Sequence, residues 1–328
     1  MGYKTMNELM EHLRDNGIKI EQEEERLLKN IGYFHGYKGY RFFNHSSHKL
    51  PFLSFDEIYA TVQYDTKLKG LLYEKVMFIE TAVKNYSLEC ILTITGSEDL
   101  QSFFEKAVLG YKNAPKNASE IEKKKYQKSK LNLQSTIQSY LSKAYDNGNP
   151  KITHFYNNIN CNGVPLWALV EIMVLGDFAK LISCLTLDAR NKISNSLGIS
   201  DVSIDSNRSL VYKYLYAIKD LRNAIAHNSP VFDTRFRKVD PSNIMKQNLV
   251  NEIKVPYVNF KTIGDYVILI CYYLKNLEVP KSEIELFVLE FEKIIDDYKR
   301  VVSTDVSSKV IHPDTYMRME ILKKYISD

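Results

Sequence analysis

Residues 54–92 read "SFDEIYATVQYDTKLKGLLYEKVMFIETAVKNYSLECIL", and they decide the fold class. Ser54 followed three residues later by Glu57 is a capping-box signature that opens a helix. Helical periodicity then runs through the stretch and predicts a long helical segment, split in two near Tyr64–Asp65. Toward the N-terminus, residues 5–15 and 21–31 read as short amphipathic helices. The aromatic run "GYFHGYKGYRFFNHSSHKLPF" that follows reads as turns and irregular structure. Toward the C-terminus a helical pair is expected over 98–110 and 117–146, and "DNGNP" at 146–150 breaks the chain. Pro165 suits the first turn of an apolar helix, "PLWALVEIMVLGDFAKLI". A further helix begins near Asp205, and 229–261 reads as a polar connection with short β-prone pieces at most. Helices over 262–278, 281–302 and 313–326 finish the chain. No repeat, low-complexity tract or glycine-rich phosphate loop is present. The class is all-α.

With 328 residues the chain can bury one large core or two modest ones. Its 45% hydrophobic and 26% charged residues are those of a globular protein. The net charge is only +4, so any affinity for nucleic acid must come from local patches. The 23 tyrosines suit base stacking, but AT-biased codon usage accounts for them more simply. Cys90, Cys161, Cys184 and Cys271 are far apart and suit reduced thiols. No apolar stretch is long enough to span a bilayer, and the polar N-terminus does not read as a signal peptide, so the expected location is the cytoplasm.

The second informative stretch is "DLRNAIAHNSP", residues 220–230. At about 100° per residue, Val211, Tyr214, Leu215, Ile218, Leu221 and Ile225 form one apolar stripe. Arg222 sits on the flank of that stripe, about 50° from its centre. Lys219, Asn223 and His227 follow one another on a more polar face. Arg222 and His227 are then about 140° apart on a regular helix, and do not converge on one small target without distortion or a second copy. Taken alone, Arg222 can lie along the core edge, with His227 stabilised by the helix dipole.

Arg222-Asn223, three residues and His227 resemble the R-N-x-x-x-H motif of HEPN-domain ribonucleases. The flanking sequence resembles the Abi-like (abortive infection, AbiD/AbiF type) branch of that group. Three further blocks carry the resemblance in order. "LKNIGYFHGYKGYRFF" is similar to an N-terminal aromatic segment. Residues 54–85, "SFDEIYATVQYDTKLKGLLYEKVMFIETAVKN", are similar through Phe55, Asp56, Ile58, Tyr64, Asp65, Leu68, Ile79 and Glu80. "PLWALVEIMVLGDFAKL" is similar through Pro165, Trp167, Glu171 and Gly176. Together they cover roughly 27–235. Family members often follow the histidine with His or Asn and then a basic residue. Here Asn228 leads to Ser229 and Pro230, with Arg235 and Arg237 as candidates for the missing charge. The resemblance implies a HEPN-type helical core over 54–235, an N-terminal helical and aromatic segment over 1–53, and a linker with a C-terminal helical extension over 236–328.

What the resemblance implies chemically is RNA cleavage without metal or other cofactor. The substrate's 2′-OH is the nucleophile, already adjacent to its phosphate. His227 would be general acid or base, Arg222 would stabilise the phosphorane, and Asn223 would orient His227 or contact phosphate. One histidine does not easily serve as both base and acid, and a homodimer that pairs two motifs removes that difficulty. Such dimers are also what the family resemblance suggests. Candidate backbone contacts on RNA are Lys219, Arg235, Arg237 and Lys238, with Phe236 among them as a stacking surface. "EIEKKKYQKSK", with five lysines against two glutamates, adds Lys123, Lys124 and Lys125, although a solvated helix face explains that run as well. Glu80 can brace Arg222 or pair with Lys84. His35 with "HSSH" at 45–48 lacks the remaining ligands of a metal site. The expected function is a growth-arresting endoribonuclease of phage defence. The alternative is a HEPN-type module that grips a structured or neutralising RNA without cutting it.

Overall fold

The computed structural model describes residues 4–199 and 203–328. Among them are fifteen α-helices with short 3-10 and π-helical pieces, and no strand. Extended pairing is confined to the isolated bridges Lys19–Ser54, Phe42–Lys49 and Val108–Leu185. The all-α class read from the sequence is the class observed. No helix among the described residues is long and apolar enough to cross a membrane.

The long helix runs unbroken from Phe55 to Thr95. The backbone N–H of Glu57 donates to Ser54 Oγ at 3.4 Å, while Glu57 Oε2 accepts from Leu53 N at 2.8 Å. Phe55, Ile58, Val62, Asp65, Leu68, Leu72, Val76, Ile79 and Val83 form its buried stripe at i+3 and i+4 steps. The break expected at Tyr64–Asp65 is absent. Both residues are buried, and Lys69, one turn on, sets its ammonium 2.7 Å from the Asp65 carboxylate. An i, i+4 pair of this kind favours the helix instead of interrupting it.

Contacts group the chain into two compact units, one formed by residues up to Met77 with Asp220–Asp328, the other by Phe78–Lys219. This grouping cuts across the three segments expected from the sequence. In the first unit the core is built around helix Ile263–Asn276, in which every residue from Ile263 to Leu274 is buried. A helix that is apolar nearly all round needs neighbours on every side. Helices Asn243–Ile253, Lys281–Val301 and Thr315–Ser327 supply them. Within this helix the buried carboxylate of Asp265 accepts from Thr262 N and Oγ1 and pairs with Arg318, itself buried, whose guanidinium lies 4.8 Å from the centre of the Tyr257 ring. The start of the long helix joins the same core: Ser303 N donates to Glu57 at 2.9 Å, and Tyr64 stacks on Tyr298 at 4.4 Å.

Two expectations fail here. Residues 32–38 are a π-helix, Gly32–Lys38, directly after helix Glu25–Ile31. The connection over 229–261 holds helix Asn243–Ile253, whose Met245, Leu249 and Ile253 are buried at i+4 steps. Asparagines and β-branched residues weaken its local signal, and packing against the core helix overrides that preference.

In the second unit the apolar segment after Pro165 is two helices, Leu166–Ile172 and Leu175–Ser183, with Met173 and Val174 extended between them. Lys84 Nζ donates to the Met173 carbonyl at 2.7 Å and satisfies an acceptor that the break exposes. Helix Glu120–Asp146 opens on a Ser119–Glu122 capping box. "DNGNP" ends it through Gly148, at a left-handed φ of 65°, and Pro150–Asn157 follows as a short helix of its own.

Replacing Arg318 by Ala leaves a buried carboxylate without its partner, and the expected loss is about 3–5 kcal/mol in urea unfolding at neutral pH. An unchanged midpoint would remove this pair from the stabilising contacts of the core.

Candidate functional site

The motif helix runs from Leu210 to Ala226. It starts later than Asp205 because Arg208 takes a left-handed φ of 52°, and Asp205 reaches forward to accept from Leu210 N at 2.8 Å. Val211, Tyr214, Leu215, Ile218 and Leu221 are buried as the periodicity requires, while Ile225 is half-buried.

The helix ends on a Schellman motif. Ser229 N donates to Ala224 O at 2.8 Å and Asn228 N to Ile225 O at 3.0 Å, with Asn228 at a left-handed φ of 52°. His227 is thus the residue at the carboxyl end of the helix, exposed, just before the chain turns away at Pro230. Asparagine tolerates the left-handed region better than most residues, and the following proline cannot continue a helix.

That turn is anchored from below. Asp65 Oδ1 accepts from Val231 N at 2.7 Å and Phe232 N at 2.8 Å. Asp65 Oδ2 accepts from the Tyr40 hydroxyl at 2.6 Å and faces Lys69 at 2.7 Å. Lys69 Nζ also donates to Asn228 Oδ1 at 2.8 Å, and Asn228 Nδ2 meets His35 Nε2 at 3.1 Å. Tyr40 stacks on Phe232 with ring centres 5.6 Å apart. Burial, then the Asp65 carboxylate, pushes the Tyr40 hydroxyl far above its ordinary range, so it acts there as a fixed donor.

Beside the turn lies a cleft of about 430 Å³, lined among others by Gly39, Asp220, Asn223, His227, Arg235 and Lys238. Asn223 and His227 therefore share one opening. Arg222 is half-buried outside that lining, with Nη1 3.4 Å from Asn223 Oδ1. The divergence expected from helical spacing is retained.

The other candidates are placed as follows. Arg235 pairs with buried Asp233 at 2.5 Å and donates to Gly39 O at 2.6 Å, so its guanidinium clamps the cleft wall. Burial pushes the Asp233 carboxyl up against the opposing pull of Arg235. Arg237 donates to Asn259 O and Phe260 O, at 3.3 and 3.1 Å, and pairs with Asp240. Phe236 packs on Tyr266 at 5.1 Å, which takes up part of the ring surface that stacking would use. Lys238 is exposed at the cleft. In the other unit, Lys219 lies with its ammonium 5.7 Å from the Tyr216 ring centre, Lys123 pairs with Glu120 at 2.8 Å, and Lys124 and Lys125 are exposed. Glu80 pairs with Lys84 at 3.2 Å. His45 bonds Ser47 locally, and among the described residues no group of three His, Cys, Asp or Glu is gathered as a metal site would need.

A family model for Abi-like proteins matches residues 26–233. The chain belongs to the Abi-like family. The matched stretch agrees with the extent of the resemblance seen in the sequence, and it contains the Asp65 network and the Arg222–His227 motif together. It stops before the buried helix Ile263–Asn276, so this Abi-like chain completes its first unit with residues beyond the family stretch. No curated protein and no solved structure matches the chain.

Sequence reasoning missed Lys69, Asn228 and His35 as parts of the site. The signal for Asn228 was present: an Asn before Ser-Pro at a helix end favours a left-handed cap. Lys69 carried only its i, i+4 spacing from Asp65, and His35 carried no signal for this role.

Asp65→Asn leaves the Lys69 ammonium buried without its counter-charge and should cost about 3–5 kcal/mol. Adding Lys69→Met should recover part of that loss, because no charge then stays buried. Denaturant unfolding of both variants checks this, and a double variant as unstable as the sum of its parts would contradict the pairing.

Proposed function

We propose that this chain is a metal-independent endoribonuclease of abortive infection, a growth-arresting toxin of phage defence acting in the cytoplasm. The observation that carries the reading is the helix end itself, where an Arg-Asn-x-x-x-His motif closes in a rigid cap with His227 exposed to an open cleft beside Asn223. A module that merely holds RNA has no need of a histidine placed at such a helix end and open to a cleft.

In the proposed reaction the substrate's 2′-oxygen attacks the adjacent phosphorus as an imidazole removes its proton. The bond to the 5′-oxygen breaks, and that oxygen leaves with a proton. The products are a 2′,3′-cyclic phosphate and a 5′-hydroxyl. His227 moves the protons, and histidine suits this because its ordinary pKa lies near neutrality. Arg222 stabilises charge on the phosphorane through its planar fork, and Asn223, which Arg222 touches, aligns the phosphate. Lys219, Lys238 and Lys123–Lys125 are proposed as contacts to the RNA backbone, together with whatever charge Arg235 and Arg237 retain beyond their clamping bonds. Because Arg222 lies outside the His227 cleft, the complete site is proposed to form in a homodimer with the two motif helices near the two-fold axis. Each motif then meets its own copy, and two imidazoles serve one phosphate.

Cellular RNA incubated with the protein in EDTA should be cut to 2′,3′-cyclic ends, and a 2′-deoxy scissile nucleotide should block cutting. His227→Ala or Arg222→Ala should each lower the rate about 10²–10⁴-fold. RNA bound tightly but left intact by the wild type would favour the grip-without-cutting alternative. Growth arrest that survives His227→Ala would defeat the assignment.

Subunit mixing tests the dimer separately. Wild type reannealed with His227→Ala should lose more activity than the wild-type fraction lost. Heterodimers that keep half the rate would mean independent sites.

A further inference from the structure

The π-helix Gly32–Lys38 lies against the His227 turn and has no role in the mechanism above. Gly32 opens it at a left-handed φ of 74°. At Gly36 a Cβ would fall 2.7 Å from the Ile31 side chain, which would have to move aside to admit it. The packing sends Tyr33 and Tyr37 inward and leaves Phe34 and His35 exposed. Single π-helical turns are rare and cluster at functional sites.

The outward pair has defined chemistry. Phe34 is 72% exposed, the largest value for an aromatic ring among the described residues. Lys38 holds its ammonium 4.8 Å from the centre of that ring. A lone exposed phenylalanine is ordinary on a protein surface. Phe34 differs because its neighbour His35 is bonded to Asn228, the residue after His227, and because its turn ends one residue before Gly39, which lines the cleft. The hydrogen bonds also set the tautomer of His35. Lys69 can only donate, so Asn228 Oδ1 accepts and its Nδ2 must donate to His35 Nε2. Neutral His35 therefore carries its proton on Nδ1, as a donor on an exposed ring.

We propose that this turn is the base-holding wall of the site: Phe34 stacks on an unpaired nucleobase next to the scissile phosphate, and His35 Nδ1–H donates to the same nucleotide. The proposal rests on the ribonuclease reading and names its substrate class, single-stranded RNA. A base within a duplex has both faces covered and cannot take the ring, whereas an unpaired base can. The Lys38 ammonium lies over one face of the ring, so the base takes the other, and a cation beside a stacked base attracts the backbone phosphates that accompany it.

The test uses the full chain carrying His227→Ala, so that RNA is bound and not consumed. Anisotropy is read with a short unstructured RNA and with the same strand annealed to its complement. Adding Phe34→Ala should weaken the unpaired RNA about tenfold, in line with the usual worth of one stacked base, and leave the duplex unaffected. Phe34→Trp should retain the affinity, and thermal unfolding should not move because the ring is exposed. With the motif intact, Phe34→Ala should raise KM for unpaired RNA more than it lowers kcat. Unchanged binding and cleavage in Phe34→Ala, while the wild type still cuts RNA, overturns the wall and spares the ribonuclease. A Phe34 effect of equal size on duplex overturns single-strand selection. Wild type that neither cuts nor binds RNA overturns both readings together.

Discussion

The Asp65 carboxylate is the constraint on which the candidate site in the first unit depends. It is fully buried, and its two oxygens take the Tyr40 hydroxyl, the Lys69 ammonium and the backbone N–H groups of Val231 and Phe232. A carboxylate removed from water must recover its lost hydration through such bonds. It does so by gathering three chain segments: its own helix, the aromatic turn that ends at Tyr40, and the turn after Pro230. None of the three can shift without leaving a buried donor or acceptor unpaired. The position of His227 is a consequence of that saturation.

The cap at the end of the motif helix turns this anchoring into geometry. Asn228 closes the Schellman motif with its backbone and, with its side chain, joins Lys69 to His35. The residue before it is thereby held at the helix terminus with its ring outward. Arginines that the sequence offered as RNA contacts also hold acceptors of the protein itself. Arg235 ties Asp233 to Gly39, and Arg237 gathers the carbonyls of Asn259 and Phe260. Guanidinium groups with several fixed donors suit either task, and only the positions of their acceptors distinguish the two.

The helices beyond the family stretch belong to the same construction. Ile263–Asn276 is buried along its length, and the start of the long helix reaches the same core through Glu57, Thr61 and Tyr64. Asp265 and Arg318 repeat, at the C-terminal end, the device used by Asp65: a buried acid that orders its surroundings by needing partners.

The sequence alone determined the helical class, most helix positions and the motif, because those follow from local periodicity, capping residues and spacing. Ser54–Glu57, Pro165 and the Arg222–His227 interval were all legible for that reason. Tertiary structure decided what depends on residues distant in the chain. Tyr64–Asp65 read as a break because a charged residue in an apolar stripe is costly until its partners are known, and those partners come from residues 40, 69, 231 and 232. Asn243–Ile253 had weak propensity and became a helix through burial against a core that the sequence does not display. The π-turn at Gly32–Lys38, and the bond from His35 to the residue beside His227, were invisible for the same physical reason: hydrogen-bond satisfaction in a packed interior is a property of the assembled chain and of no single segment.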